Sequence, residues 1–325
     1  MSLLRQRRLR NVQLALTFRC NHNCDMCSSN LLVEHDKKEL ELEQWKGVIN
    51  ELQELGCTHF DLTGGEPTMK GLEWLCSFAK HINRNNNCII SLATNAVLLD
   101  ERWLSELYDS GLKTIEFNIQ PGEHDNIVHD KGNLAHIKRL IPIAKEMGLN
   151  VCINTCLGSY NIQEFEELAE WCERNNLHIL TNLAAPTGKM TRKDVRITEF
   201  KHAYYNLMSK YRTMRSDTTY NYFGWNQCPG GREKLYITSY GDVMQCTFVQ
   251  ISFGNVLYEP LKVIYKRFGR HPLIRRKYIC KHTFWPEFRE KWVNPIINRE
   301  DIPVPLIDHP NYRLYKEELE LTCPQ

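Results

Sequence analysis

What most constrains this fold is a repeat in hydrophobic texture. Short runs rich in β-branched and aromatic residues recur about every 30 residues through the first two thirds of the chain. They are VQLALTF (12–18), HFDLT (59–63), CIISLAT (88–94), KTIEFNI (113–119), NVCINTC (150–156) and HILTNLA (178–184), and they read as strands. Helical patterns fill the gaps. In LEQWKGVINELQEL, Trp45, Val48, Ile49, Leu52 and Leu55 share one face and Gly56 stops the run. DERWLSELYDSG opens on Asp100 as a cap and closes on Gly111. GNLAHIKRLIPIAKEMG and NIQEFEELAEWCERNN repeat the pattern. Strands spaced this way must be joined by right-handed parallel crossovers. The expected fold is α/β, a partial (β/α)6 barrel rather than the full eight units. In such a barrel the chemistry collects at the C-terminal ends of the strands.

Composition narrows the function classes. A chain of 325 residues holds one large domain or two modest ones. With 25% charged residues and a formal net charge of +2, it is an ordinary globular composition and not that of a nucleic-acid binder. The basic arm Arg5, Arg7, Arg8 and Arg10 reads as solvated. MSLLRQRRLR has no apolar core and no later segment approaches a membrane span, so a cytoplasmic protein with no nucleic-acid or membrane partner is expected. Cysteine usage is the anomaly. Thirteen thiols, an odd number without a secretory signal, argue for metal ligation plus bystander core cysteines rather than disulfides.

Two motifs fall where a barrel puts its chemistry. Cys20, Cys24 and Cys27, in CNHNCDMC, follow the first strand directly. Structural zinc takes four protein ligands, and His22 lies too close in sequence to reach easily around the same ion. Soft thiolates also suit iron–sulfur clusters, and three of them leave one iron open. Gly64, Gly65, Glu66 and Pro67, in LTGGEPT, follow the second strand. The glycines permit close backbone approach and exposed amides, and Glu66 can accept from an ammonium. Alone, the glycine pair is an ordinary loop turn; one β/α unit after the cysteine loop it gains weight.

On these residues the chain resembles the radical S-adenosylmethionine (SAM) enzymes, whose signature is C-x3-C-x2-C after the first barrel strand and GGE after the second. The resemblance covers about residues 10–195. It implies a SAM-binding 4Fe–4S cluster on Cys20, Cys24 and Cys27, with the amino and carboxylate groups of SAM on the open iron. Gly64, Gly65 and Glu66 would bind the methionyl amine. It also implies SAM contacts from Thr94 and Asn95 after the third strand, where Ala96 replaces the family's glycine. Asn118 and Gln120 would contribute after the fourth, where Gln120 replaces an acid. Asn154 and Thr155 at the fifth strand point toward the mouth, with a structural role about as well supported.

The texture changes after PTGKMTRKD (186–194). A helix in TEFKHAYYNLMSKYRTM leads to KLYITSYGDVMQCTF, two short strands around Tyr240-Gly241-Asp242 that read as a hairpin. A short helix, EPLKVIYKRFG, follows. Cys228, Gly241 and Cys246 are spaced as in the opening of SPASM and Twitch domains, which bind auxiliary iron–sulfur clusters. Too few cysteines follow for the full SPASM set. The resemblance therefore implies a Twitch-like domain whose auxiliary iron–sulfur cluster, of the 4Fe–4S type, is held by Cys228, Cys246 and Cys280. Its fourth ligand stays open among Cys323, His282, a non-cysteine group and substrate; a structural zinc there is the bland alternative. The division expected is a barrel over 1–195, a linker helix over 196–224, the Twitch-like domain over 225–290 and an irregular tail over 291–325.

Remaining features take structural readings. Cys57, Cys76, Cys88, Cys152 and Cys172 read as small core hydrophobes. Cys156 also reads as core, although a thiol at that strand end can donate a hydrogen atom to a substrate radical. Glu123, His124 and Asp125 read as capping for the next helix rather than acid–base machinery, and TYNYFGWN (219–226) as a packed domain junction. The function expected is a radical SAM oxidoreductase that draws electrons from a flavodoxin- or ferredoxin-type donor and abstracts a hydrogen atom. Because the barrel begins close to the N-terminus, a small polar metabolite is favoured as substrate. A peptide-modifying enzyme that cross-links or epimerises is the alternative. From another class, a non-catalytic iron–sulfur or zinc protein would need the thiols but not the GGEP and TN motifs.

Overall fold

In the computed structural model, residues 9–29, 32, 36–85, 87–185, 187–192, 197–216, 228–271 and 286–313 are described. The expected alternation is present with strand ends within a residue or so of those read from the sequence. Strands β1 (Asn11–Thr17), β2 (His59–Gly64), β3 (Ile89–Thr94), β4 (Thr114–Asn118), β5 (Asn150–Leu157) and β6 (His178–Leu183) run in parallel register. Between them lie α1 (Leu42–Glu54), α2 (Leu72–Ile82), α3 (Glu101–Asp109), the short α4 (His124–Val128), α5 (Asn133–Glu146) and α6 (Phe165–Arg174). This is the partial barrel that the 30-residue repeat demanded.

Local signals are used as expected. Trp45, Val48, Ile49 and Leu52 are buried on one face of α1, and Gly56 leaves the helix at φ +93°. Asp100 accepts from the Trp103 amide at 2.9 Å, which satisfies an otherwise orphaned donor of α3. Asp125 takes the amides of Gly132 and Leu134 at 2.7 and 2.9 Å, so it does cap the start of α5.

Beyond the barrel, α7 (Ile197–Lys210) leads to β7 (Met214–Ser216), which adds to β6 in parallel. The expected hairpin forms from β8 (Lys234–Ile237) and β9 (Val243–Met244), antiparallel, with Gly241 at φ +91°. Its place was not foreseen: β8 pairs in parallel with β1, Gln13 opposite Tyr236. Among the described residues the sheet thus runs β7-β6-β5-β4-β3-β2-β1-β8-β9. Helix α8 (Leu261–Arg270) follows. Ahead of that helix, β10 (Ile251–Ser252) pairs with β11 (Val304–Pro305), and Trp292, Ile302 and Val304 are buried, so apolar side chains pin this part of the tail. No helix of the described residues is long and apolar enough to cross a membrane.

A closed eight-stranded barrel fills its interior with layers of branched apolar side chains. This open one does not. Asp61, Ser91, Glu116, Asn154, Asn182 and Lys234 line an interior cavity of about 380 Å3.

Candidate active site

The first strand end and the second are pressed together. A Cβ on Gly64 would lie 2.2 Å from the Thr17 carbonyl oxygen, and one on Gly65 would lie 2.4 Å from that of Arg19. The Gly65 and Glu66 amides donate to Thr17 and Arg19 carbonyls at 2.7 and 2.9 Å. From the sequence the glycines were expected to serve ligand approach and exposed amides; here the amides of Gly65 and Glu66 are spent on the backbone that enters the cysteine loop. Glu39 braces the same corner, accepting from the Thr17 hydroxyl at 2.6 Å and the Phe18 amide at 3.1 Å.

Glu66 is 1% exposed. Its Oε1 accepts from the Thr68 amide, the Thr68 hydroxyl and the Thr94 hydroxyl at 3.1, 2.7 and 2.8 Å. Its Oε2 accepts from the Asn95 amide at 2.7 Å. Burial pushes the carboxyl upward while these donors pull it back. Ala96, which stands where the family prefers glycine, keeps a left-handed backbone at φ +67°.

The cysteine loop closes the upper side. His22 donates its amide to Cys20 Sγ at 3.4 Å, and Asn95 Nδ2 reaches Asn21 Oδ1 at 2.7 Å and lies 4.0 Å from Cys20 Sγ. Segment 123–132 lies against the loop through His22–Asp130 and Asp25–His129 pairs, both 2.9 Å. Lys189, from the stretch PTGKMTRKD, donates its amide to the Cys27 carbonyl at 2.9 Å and its ammonium to that of Asn23 at 2.6 Å.

The thiols fit an iron–sulfur cluster. Burial raises Cys20 and pushes Cys24 up to about 12; Glu66 and Cys27 add unfavourable charge at Cys20, and Cys27 and Cys20 at Cys24. Thiolates crowded this way need a metal's positive charge to stay deprotonated. The N–H groups aimed at Cys20 are donors of the kind that tune cluster sulfur. Among the described residues no three His, Cys, Asp or Glu side chains gather as ligands of a single ion.

One cavity of about 250 Å3 joins most of the expected residues. Cys20, Cys24, Cys27, Gly64, Gly65, Glu66, Asn95, Asn118 and Gln120 line it; Thr94 stands behind, buried against Glu66. Cys156 also lines it, with the Tyr160 hydroxyl 3.5 Å from its sulfur. Cys57, Cys76 and Cys172 are buried as expected, while Cys152 faces the barrel interior.

Gln13, Met190, Tyr236, Thr247 and Phe248 line the cavity too and were missed. An alternating strand pattern flags Gln13 and Tyr236 as inward or outward, but says nothing that makes Tyr236 a neighbour of a loop 209 residues before it. Tyr236, buried and raised chiefly by burial, hydrogen-bonds Thr247 and Ser29 and lies near both Cys27 and Cys246. Cys228 and Cys246 come together: burial and the neighbouring Cys228 push Cys246 up to about 11, and a Cβ on Gly230 would sit 2.9 Å from the Gln245 carbonyl and 3.5 Å from Cys228 Sγ. Cys280, His282, Cys323, the run 219–226 and Arg5, Arg7 and Arg8 lie outside the described residues.

Two family profiles match the chain: the radical SAM superfamily over residues 14–172 and the SPASM iron–sulfur cluster-binding domain over residues 228–282. The PqqA peptide cyclase of Bradyrhizobium diazoefficiens is 32% identical over 166 residues, 49% of this chain and 42% of that protein. That of Rhizobium meliloti is 27% identical over 288 residues, 77% of this chain and 72% of that protein. The chain thus spans less than half the length of the first of these relatives. The crystal structure of Streptococcus suis SuiB bound to precursor peptide SuiA superposes with a TM-score of 0.64 at 15% identity, over 83% of this chain and 67% of that one. At that identity the likeness speaks for the fold.

These relatives correct one expectation. A small polar metabolite was favoured because of where the barrel lies along the sequence, yet these curated relatives are peptide cyclases. A recognition module carried on another chain leaves no mark in this sequence, so the position of the barrel has no bearing on substrate class.

Proposed function

Because this chain belongs to the radical SAM superfamily and carries a SPASM-type iron–sulfur domain, we propose that it is a peptide-modifying oxidoreductase acting on a ribosomally made precursor. The observation that carries this reading is the shared cavity. The Cys20–Cys27 loop forms one wall, and Thr247 and Phe248, next to Cys246, form another. A side chain held there lies between a radical source and an electron acceptor, the arrangement an oxidative cross-link needs.

When bound, a 4Fe–4S cluster with SAM supplies an electron to the sulfonium and so a 5′-deoxyadenosyl radical that takes a hydrogen atom from substrate. The protein's part is positioning and exclusion of water. Cys20, Cys24 and Cys27 hold the cluster. With the Gly65 and Glu66 amides spent on Thr17 and Arg19, Gly64 and Gly65 offer carbonyl oxygens to the methionyl ammonium, and Glu66 keeps that shelf attached to Thr94 and Asn95. Asn95, Asn118 and Gln120 present amide groups to the ribose and carboxylate of SAM. Cys228, Cys246 and Cys280 hold the auxiliary cluster within 225–290, and 1–195 is the barrel. A flavodoxin- or ferredoxin-type protein supplies electrons.

The test is anaerobic reconstitution followed by SAM, dithionite and candidate precursor peptides encoded beside the gene. Production of 5′-deoxyadenosine with loss of two hydrogens from the peptide is the expected result. Deuterium gained from heavy water without mass loss would instead mean epimerisation. Protein that holds zinc and leaves SAM intact overturns the reading. Replacing Cys20, Cys24 and Cys27 together with alanine should leave roughly half of the iron.

A further inference from the structure

His124 was read from the sequence as part of a cap, but the cap is Asp125. The histidine is 1% exposed and does something else. Its Nδ1 accepts the Gln120 amide at 3.0 Å, and its Nε2 lies 2.9 Å from Asn133 Oδ1. Asn133 Nδ2 donates to the Asn95 carbonyl at 3.0 Å. Both ends of this chain are backbone groups, and they dictate every proton in it. The Gln120 amide can only donate, so Nδ1 must accept and the ring proton must sit on Nε2. The Asn95 carbonyl can only accept, so Asn133 must turn Nδ2 toward it and Oδ1 toward His124. The two requirements agree, and one tautomer satisfies all.

What the chain connects gives it meaning. Gln120 Oε1 also accepts the Cys156 amide at 3.1 Å, which ties the ends of β4 and β5. Asn95 is held by Glu66 through its amide and reaches the cysteine loop through its side chain. His124, Asn133, Gln120 and Asn95 are each 6% exposed or less, and burial keeps the imidazole neutral by lowering its pKa. We propose that His124 is a positioning residue for the SAM site: as the Nε2–H tautomer it locks Gln120 to Asn133 and Asn95, and so fixes the two cavity walls that face the cofactor. The inference rests on the SAM-binding reading above.

The test compares His124→Gln, whose amide can accept from Gln120 and donate to Asn133, with His124→Leu, which can do neither and leaves two buried groups unpaired. For each anaerobically reconstituted protein, iron content, the apparent melting temperature, the SAM-induced change in the electron paramagnetic resonance spectrum of the reduced cluster, and KM and kcat for SAM cleavage without peptide are measured. His124→Leu should keep wild-type iron, raise the KM for SAM ~10-fold or more with a smaller effect on kcat, and blunt the spectral change. His124→Gln should stay within about threefold of wild type on each. If His124→Leu fails to fold, Asn133→Asp serves instead. It keeps the acceptor for His124, removes the donor to Asn95, and should raise KM in the same way. A lowered melting temperature with unchanged KM and spectrum in either variant overturns the proposal, as does a Gln variant no better than Leu. Failure of the wild type to cleave SAM would overturn the underlying reading, and is seen before any variant is made.

Discussion

The Asn95 amide donates to Glu66 Oε2 across 2.7 Å, inside a protein interior where Glu66 is 1% exposed. That bond, across 29 residues of sequence, joins the GGE turn after β2 to the TN turn after β3, motifs that the sequence offers as separate ligand contacts. The carboxylate of Glu66 is therefore a framework element as well as a cavity wall. With three donors on Oε1 and one on Oε2, neither oxygen can be exchanged for an NH2 group without facing a donor.

Glu66→Gln should accordingly destabilise the protein by about 2 kcal/mol and weaken SAM binding together. Its best orientation sets the new NH2 against the Asn95 amide. Chemical unfolding and SAM titration followed spectroscopically are the measurements, and unchanged stability would show the four bonds to be less than they look.

Gly65→Ala drives a methyl to 2.4 Å from the Arg19 carbonyl and 2.6 Å from that of Phe18. Backbone must move, and that backbone leads into Cys20. Iron and sulfide content should fall to roughly half as the first cluster is lost and the second kept. Gly47→Ala in α1, where nothing lies within 4 Å of the new methyl, is the control, and should stabilise by up to about 1 kcal/mol through helix propensity alone.

Ala96 is the reverse case. An alanine at φ +67° pays a steric penalty that glycine avoids. Ala96→Gly loses a fully buried methyl and gains unfolded-state entropy, so the net expectation is a gain of only about 0.5 kcal/mol. A raised melting temperature with unchanged iron content is the check; a clear drop would mean that the methyl's packing outweighs the backbone strain.

Acid should weaken the fold through buried histidine. Burial lowers the pKa of His124, against the pull of its Asn133 bond, Asp125 and Asp130. The unfolded histidine titrates near ~6.5, so below that pH the unfolded chain binds more protons than the folded one. The stability that His124 contributes is complete above about pH 6.5 and drains away as pH falls through its depressed folded value. Apparent melting temperatures from pH 7.5 down to about pH 5.5 should fall less steeply in His124→Gln than in the wild type. His309 is lowered too, chiefly by burial, so some slope should survive. Parallel curves for the two proteins would sink the assignment.

The barrel was legible because its cause is local and repetitive. Period-two apolar runs such as VQLALTF and one-sided helices such as the one carrying Trp45 and Leu52 state their own geometry, and parallel strands joined by helices have one handedness. The three thiols and the GGE turn were legible because each directly follows a strand. Their reasons were less so. Nothing in LTGGEPT says that its glycines make room for the Arg19 and Phe18 carbonyls, since a sequence lists neighbours along the chain and not across it.

The sequence by itself determined the strand–helix order and set the three thiols and the GGE turn directly after the first two strands. Only the tertiary structure decided that β8 pairs with β1, which sets Tyr236 opposite Gln13 and carries Thr247 and Phe248 into the same cavity as Cys27. It alone decided that His124 faces Gln120 and Asn133 rather than a helix end. The physical reason is range. Periodicity, capping and turn chemistry act over a few residues and are written in order. Pairing partners, close backbone approach and the proton a buried imidazole carries depend on which distant groups the folded sheet brings within hydrogen-bond reach.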